Sequence, residues 1–160
     1  MRTGMRWCGA VAAAGALVIA AAAAAATLAS ASGSGHIVFG SSSEHTSFNA
    51  QRQSDGTATG QAEVVDHTAS GTVRFHLDVN CLNVVGNTAT ISGIVTSSSD
   101  PTIVGFEGIF QVVDNGEGAN SPPDLMSLVN IFAVGTGVDC SVPSEFDLAP
   151  VEGGNIQVQQ

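Results

Sequence analysis

Thr72-Val73-Arg74-Phe75-His76-Leu77-Asp78-Val79-Asn80-Cys81 is the stretch whose reading decides the fold. Val73, Phe75, Leu77, Val79 and Cys81 alternate with Thr72, Arg74, His76, Asp78 and Asn80 over the whole run. A period of two sends alternate side chains to opposite faces of a β-strand, one set to a core and the other to water. On a helix the same apolar residues would spread around the whole circumference. Cys81 belongs to the apolar set, so a disulfide partner is expected from the core side or from the strand end.

The same texture extends in both directions. His36–Phe39 and Thr46–Arg52 read as strands, and Asp55-Gly56 turns the chain into Gly60–Asp66. Ala69-Ser70-Gly71 leads into the central stretch, and Val84–Gly86 with Asn87 forms a turn before Thr88–Thr96. Ser97–Pro101 breaks that strand. Ile103–Val113 reads as one long apolar strand, with a bulge or bend at Gly105 and Gly108. Asn115-Gly116 is a hairpin signal. Leu125–Val134, rich in Val, Ile and Phe, reads as a further strand, and Asn155–Gln159 closes the chain. Eight or nine short strands with short connections predict an all-β domain, an antiparallel up-and-down barrel or barrel-like sheet, with a β-sandwich as the alternative. The alternating C-terminal strand is expected to pair with the N-terminal one.

The N-terminus has a different character. Arg2 and Arg6 precede an Ala-rich, uncharged run from Gly9 to Ala26, and Ala29-Ser30-Ala31 places small residues where a signal peptidase reads. This is the layout of a secretory leader. The run approaches the length of about 20 residues that a membrane span needs, but alanine is barely favoured in hydrocarbon and no basic stop-transfer cluster follows. Residues 1–31 are read as a signal peptide and residues 32–160 as a single secreted or cell-envelope β-domain. After cleavage no membrane segment is expected.

Beyond residue 31 only Arg52 and Arg74 oppose 14 acidic residues, a net charge of −12, and lysine is absent from the chain. Phosphate backbones are held mainly by Lys and Arg, so nucleic acid is excluded as a partner and anionic membranes are poor ones. The only tryptophan, Trp7, lies in the leader and there is no tyrosine, which weakens a carbohydrate-binding reading. Cys8 leaves with the leader. Cys81 and Cys140 are then the full cysteine inventory of an exported chain and are expected to pair.

No nucleophile elbow, zinc-protease motif, phosphate loop or dinucleotide fingerprint is present, so no catalytic residue is assigned. His36, His45, His67 and His76 are scattered without metal spacing. Two groups carry the remaining chemistry. Arg74, His76 and Asp78 share one face of one strand, either as an outward polar face or, were the strand inverted, as the lining of a polar ligand pocket. Asp114, Asn115, Glu117, Asn120 and Asp124 place hard oxygen donors in a Gly-rich loop, the donor type that Ca²⁺ selects. The spacing departs from the EF-hand loop because Gly116 and Gly118 stand at two ligand positions. The alternative is a hairpin whose Asx side chains bond their own backbone.

Gln51-Arg52-Gln53 with Asp55-Gly56 and Gly60, then Cys81-Leu82-Asn83-Val84-Val85-Gly86-Asn87-Thr88-Ala89, Ser92-Gly93 and Val113-Asp114-Asn115-Gly116-Glu117, resemble a family of small exported bacterial β-domains. The pattern is also distantly similar to the post-COAP-type domain of secreted surface proteins, which reads G-x-A-x-I-x-G and then D-N-G-E-P-G-x-x-D-x-F. This chain lacks the proline after Glu117, and its Asp124 lies further downstream. The resemblance implies a β-fold and export, and it carries no assigned activity. The expected function is a non-enzymatic extracellular or cell-envelope binding or structural module. The alternative is a small barrel enzyme or a small-ligand carrier with an internal pocket.

Overall fold

The computed structural model describes residues 26–118, 120–137, 139–142 and 145–160. The basic start and most of the Ala-rich run lie outside the described residues. The chain forms one all-β sheet of ten antiparallel strands, strongly curled into a half-barrel. The strands are β1 (Thr27–Phe39), β2 (Ser42–Gln53), β3 (Ala58–Thr68), β4 (Gly71–Val85), β5 (Thr88–Ser98), β6 (Glu107–Val113), β7 (Leu125–Ser127), β8 (Asn130–Phe132), β9 (Leu148–Pro150) and β10 (Gly153–Gln159). Their order is β10-β1-β2-β3-β4-β5-β6-β7-β9, with β8 also paired to β6. The up-and-down order follows the expectation, and β10 pairs with β1 from Ser30↔Gln159 to His36↔Gly153.

Alternation places the core on the concave face. Phe48 and Ala50 of β2, Ala62 and Val64 of β3, Phe75, Leu77 and Val79 of β4, Ile91 of β5 and Phe110 and Val112 of β6 are all buried in one cluster. Phe48 and Phe110 come from well-separated strands and meet edge to face, with ring centroids 5.4 Å apart at 72°. Such T-shaped pairs add about 1 kcal/mol beyond the area they bury. Gly108 faces the same interior, where a Cβ would lie 2.6 Å from a methyl of Leu77. Its missing side chain lets β6 close down on β4.

Four differences from the sequence reading have local causes. The alternation in β4 does not run through to Cys81. The register shifts between Val79 and Cys81, so that Leu82 pairs with Ile91 and Val84 with Ala89 in the core. Cys81 is thereby turned to the outer face, opposite Ser92, and meets Cys140 there. The disulfide spans 59 residues, and closing a loop of that length stabilises by about 4 kcal/mol in the chain-entropy model.

The apolar run at residues 103–113 is not one strand. Asp100 caps a short 3₁₀ turn over Pro101–Ile103, Gly105 adopts φ +87°, and pairing begins only at Glu107. The segment 125–134 is likewise two short strands. Between them Val129 N–H leaves the ladder and donates to the carboxylate of Glu44 instead. Asp55, Asp100 and Asp139 each cap a turn in the same way, accepting from the N–H and the hydroxyl of Thr57, Thr102 and Ser141 two residues on.

The fourth difference is the start of β1. Ala29 and Ala31 are 2% and 0% exposed, and Ser30 pairs with both Gln51 and Gln159. A boundary after Ala31 therefore falls inside a strand that is paired on both sides. Each lost ladder hydrogen bond costs about 1 kcal/mol. A chain beginning at Ser32 is expected to melt clearly below one beginning at Thr27. Equal melting temperatures for the two chains would show that the first half of β1 is dispensable.

Candidate functional site

Arg74, His76 and Asp78 are exposed on the outside of β4, while Phe75, Leu77 and Val79 between and beside them are buried. The inverted arrangement, with these three lining an internal pocket, is thus overturned: apolar side chains keep the concave face, as the hydrophobic effect requires. The antiparallel register extends the polar set sideways. His76 stands opposite Glu63, which stands opposite Ser47, and Asp78 stands opposite Gln61, which stands opposite Asn49. Ser34 and Ser32 of β1 continue the two rows. Ser47, Asn49, Gln61, Glu63 and His76 line a shallow groove of about 310 Å³ on this wall. Arg74 stands opposite Val65, outside that groove, so the expected acid, base and cation do not converge.

Asp114 and Asp124, at the two ends of the acidic loop, meet backbone N–H groups. Asp114 accepts from Gly116 N–H at 2.8 Å through one carboxylate oxygen and from Val158 N–H at 3.0 Å through the other. Asp124 accepts from Asn115 N–H at 2.9 Å and from Ile156 N–H at 2.9 Å. Asn115 donates its side-chain amide to Pro123 C=O. Glu117 contributes its carbonyl, which accepts from Ser121 Oγ. These contacts engage oxygens of Asp114 and Asp124 that the Ca²⁺ reading of Asp114, Asn115, Glu117 and Asp124 would use. Among the described residues no three His, Cys, Asp or Glu side chains are grouped to hold an ion. Val158 and Ile156 are residues of β10, whose other edge is occupied by β1. Asp114 and Asp124 therefore cap the free edge of β10 where the curled sheet comes round to meet itself. Val151 N–H on Asp124 C=O and Gln160 Nε2 on Val84 C=O tie the same seam.

A third site was not read from the sequence. Glu44 of β2 points inward and is 2% exposed. Its carboxylate accepts from Thr46 Oγ1 at 2.9 Å and from Val129 N–H at 3.2 and 3.3 Å. Burial pushes its pKa up to about 7, against the opposing pull of the Thr46 and Val129 hydrogen bonds, and the nearby Asp66 carboxylate pushes the same way. Asp66 is the cross-strand partner of Glu44, and its own carboxyl is held above the usual range by partial burial. The signal for Glu44 was present in the chain. Counting back by twos from Phe48 places Thr46 and Glu44 on the core face, but a strand begun at Thr46 stops short of it.

No family model, curated protein or solved structure matches the chain.

Two expectations follow from this geometry. Asp124→Ala leaves the part-buried Ile156 N–H without its acceptor and should cost about 1–3 kcal/mol, whereas Glu117→Ala should be near neutral. Chemical denaturation compares them, and millimolar calcium should leave the wild-type melting temperature unchanged. Equal effects of the two substitutions would remove the seam role.

Glu44 has a folded pKa above its unfolded value, so the folded state holds the proton more tightly. The stability that this supplies is complete below about pH 4.5 and is lost as pH rises to about 7. Moving wild type and Glu44→Gln from pH 4 to pH 8 should shift their stability difference by about 3 kcal/mol in favour of the variant. A difference independent of pH would place the Glu44 titration elsewhere.

Proposed function

We propose that this chain is an exported acidic β-domain that serves as a non-enzymatic binding or structural module of the extracellular space or cell envelope. It engages its surroundings through its outer surface. The observation that carries this reading is the filled interior. A carrier or barrel enzyme needs a concave site with a few convergent polar groups. Here the space between the walls is occupied by the Phe48–Phe110 pair and the surrounding Leu77, Ile91, Val112 and Met126 side chains. The inward polar groups Glu44 and Thr46 are bonded to each other and to Val129.

The orientation of the sheet supports a water-exposed exterior. Membrane barrels carry apolar residues outward and polar ones inward. β1 to β4 do the reverse, presenting Ser32, Ser34, Ser47, Asn49, Gln61, Glu63, His76 and Asp78 outward. No helix among the described residues is long and apolar enough to cross a membrane. The Cys81–Cys140 disulfide is compatible with an oxidising compartment. The scarcity of basic residues keeps nucleic acid outside the set of proposed partners. One observation favours the alternative of a small barrel enzyme: Glu44, a buried carboxyl with its pKa near neutrality, is the kind of group that serves as a general acid.

An amide-resolved NMR titration separates the two readings. An apolar fluorescent probe is added to the protein. No stoichiometric uptake of the probe is expected, with the amides of Phe48, Leu77 and Phe110 unshifted. Saturable uptake of the apolar probe with shifts at Phe48, Leu77 and Phe110 would establish the carrier reading instead.

A further inference from the structure

A second concavity lies at the end of the barrel where β1 finishes, away from the polar wall of β1–β4. Its volume is about 300 Å³, within the range of small-molecule sites. Phe39, Leu128 and Phe146 supply apolar walls, and Asn130, Glu145 and Asp147 supply polar ones. Phe39 and Leu128 are also packed against the core cluster, so these walls are anchored in the fold. From this combination we infer that the pocket binds a small organic ammonium ion with an apolar body.

Three observations carry the assignment. The first is charge. Glu145 and Asp147 are exposed, and among the described residues neither side chain has a hydrogen-bond or ion-pair partner. Neither arginine among the described residues is paired with them: Arg52 donates to Leu82 C=O near the far end of β4, and Arg74 lies on the outer face. The chain has no lysine. Buried Glu44 and its partly buried cross-strand partner Asp66 stand near this end of the barrel. A carboxylate-lined cleft raises the local concentration of cations.

The second observation is the pair of phenylalanines. A bare metal ion would find no use for them, and an uncharged apolar ligand would find no use for two unpaired carboxylates. An ammonium carried on an alkyl body uses both, since ring faces attract cations. The third is rigidity. The Leu128 wall is locked on each side. Its carbonyl accepts from Ser127 Oγ and Asn130 Nδ2, and the next residue, Val129, gives its N–H to Glu44. A wall held this way is ordered before the ligand arrives, which lowers the entropic cost of binding.

Choline and its uncharged isostere 3,3-dimethylbutan-1-ol are the probes, titrated by NMR into the intact exported protein. Saturable choline binding is expected in the millimolar range, with shifts at Leu128, Asn130 and Phe146 and binding of the isostere at least tenfold weaker. Phe146→Ala and the double variant Glu145→Gln/Asp147→Asn should each weaken choline at least tenfold. Glu117→Gln, which removes a charge elsewhere, should not. Equal binding of the isostere would overturn the assignment, leaving an apolar pocket only. Loss in the double variant without loss in Phe146→Ala would also overturn it, leaving a carboxylate pair that attracts any cation. Absence of saturable choline binding overturns it outright, and leaves the reading of the β1–β4 wall untouched.

Discussion

The structure depends on the need to bury one face of a single sheet against itself. α-Helices are absent from the described residues, so no second layer covers the apolar side of β1 to β6. The sheet must curl until its own walls meet, and the Phe48–Phe110 contact marks where they do. The right-handed twist of strands favours coiling, and small residues let the coil tighten. Ala29, Ala31, Ala50, Ala62 and Ala89 line the interior beside the larger side chains. Gly108 removes the last obstacle between β6 and Leu77. The filled interior follows from this closure, and it moves any ligand to the outside or to the ends.

Curling a sheet creates a second problem, the unpaired edge where first and last strands approach. An exposed edge is a template for association with other chains. This chain answers with side chains in place of a ladder. Asp114 and Asp124 accept the outward N–H groups of Val158 and Ile156, alternate residues of β10. Glu44 performs the same service on the opposite wall, taking the Val129 N–H that the β7–β8 break releases. An acidic chain thus uses part of its charge as backbone acceptors. The two roles differ in accessibility. The seam carboxylates lie near the surface, whereas Glu44 is buried, and its burial makes it sensitive to pH near neutrality.

The legible part of the fold was local. Alternation at Thr72–Val79 places Phe75, Leu77 and Val79 inside and Arg74, His76 and Asp78 outside, because period two is a property of each strand alone. The turns at Asp55-Gly56 and Gly86-Asn87 carry the residues that tight turns favour. Alternation in Ile156-Gln157-Val158-Gln159 allowed its pairing with β1 to be foreseen. Glu44 was legible in principle, by the same alternation counted from Phe48. The hydrogen-bond partners of the carboxylates in the 114–124 loop were not legible, because donor type does not reveal what a donor faces. The same oxygens suit a metal ion or a row of N–H groups, and only the approach of β10 selects the second.

By itself, then, the chain determined an all-β, disulfide-bearing domain with an acidic, polar exterior, since composition and short-range periodicity carry those properties. Tertiary structure alone decided three things. The bulge after Val79 carries Cys81 from the core face to the outer face, because a one-residue slip reverses every side chain beyond it. The start of β1 at Thr27 rests on β2 and β10, strands that flank it in space and not in sequence. The pocket of Phe39, Leu128 and Phe146 gathers residues more than a hundred positions apart. Contacts at that separation depend on how far the sheet curls, and curl is a sum over all its strands that no local stretch of sequence records.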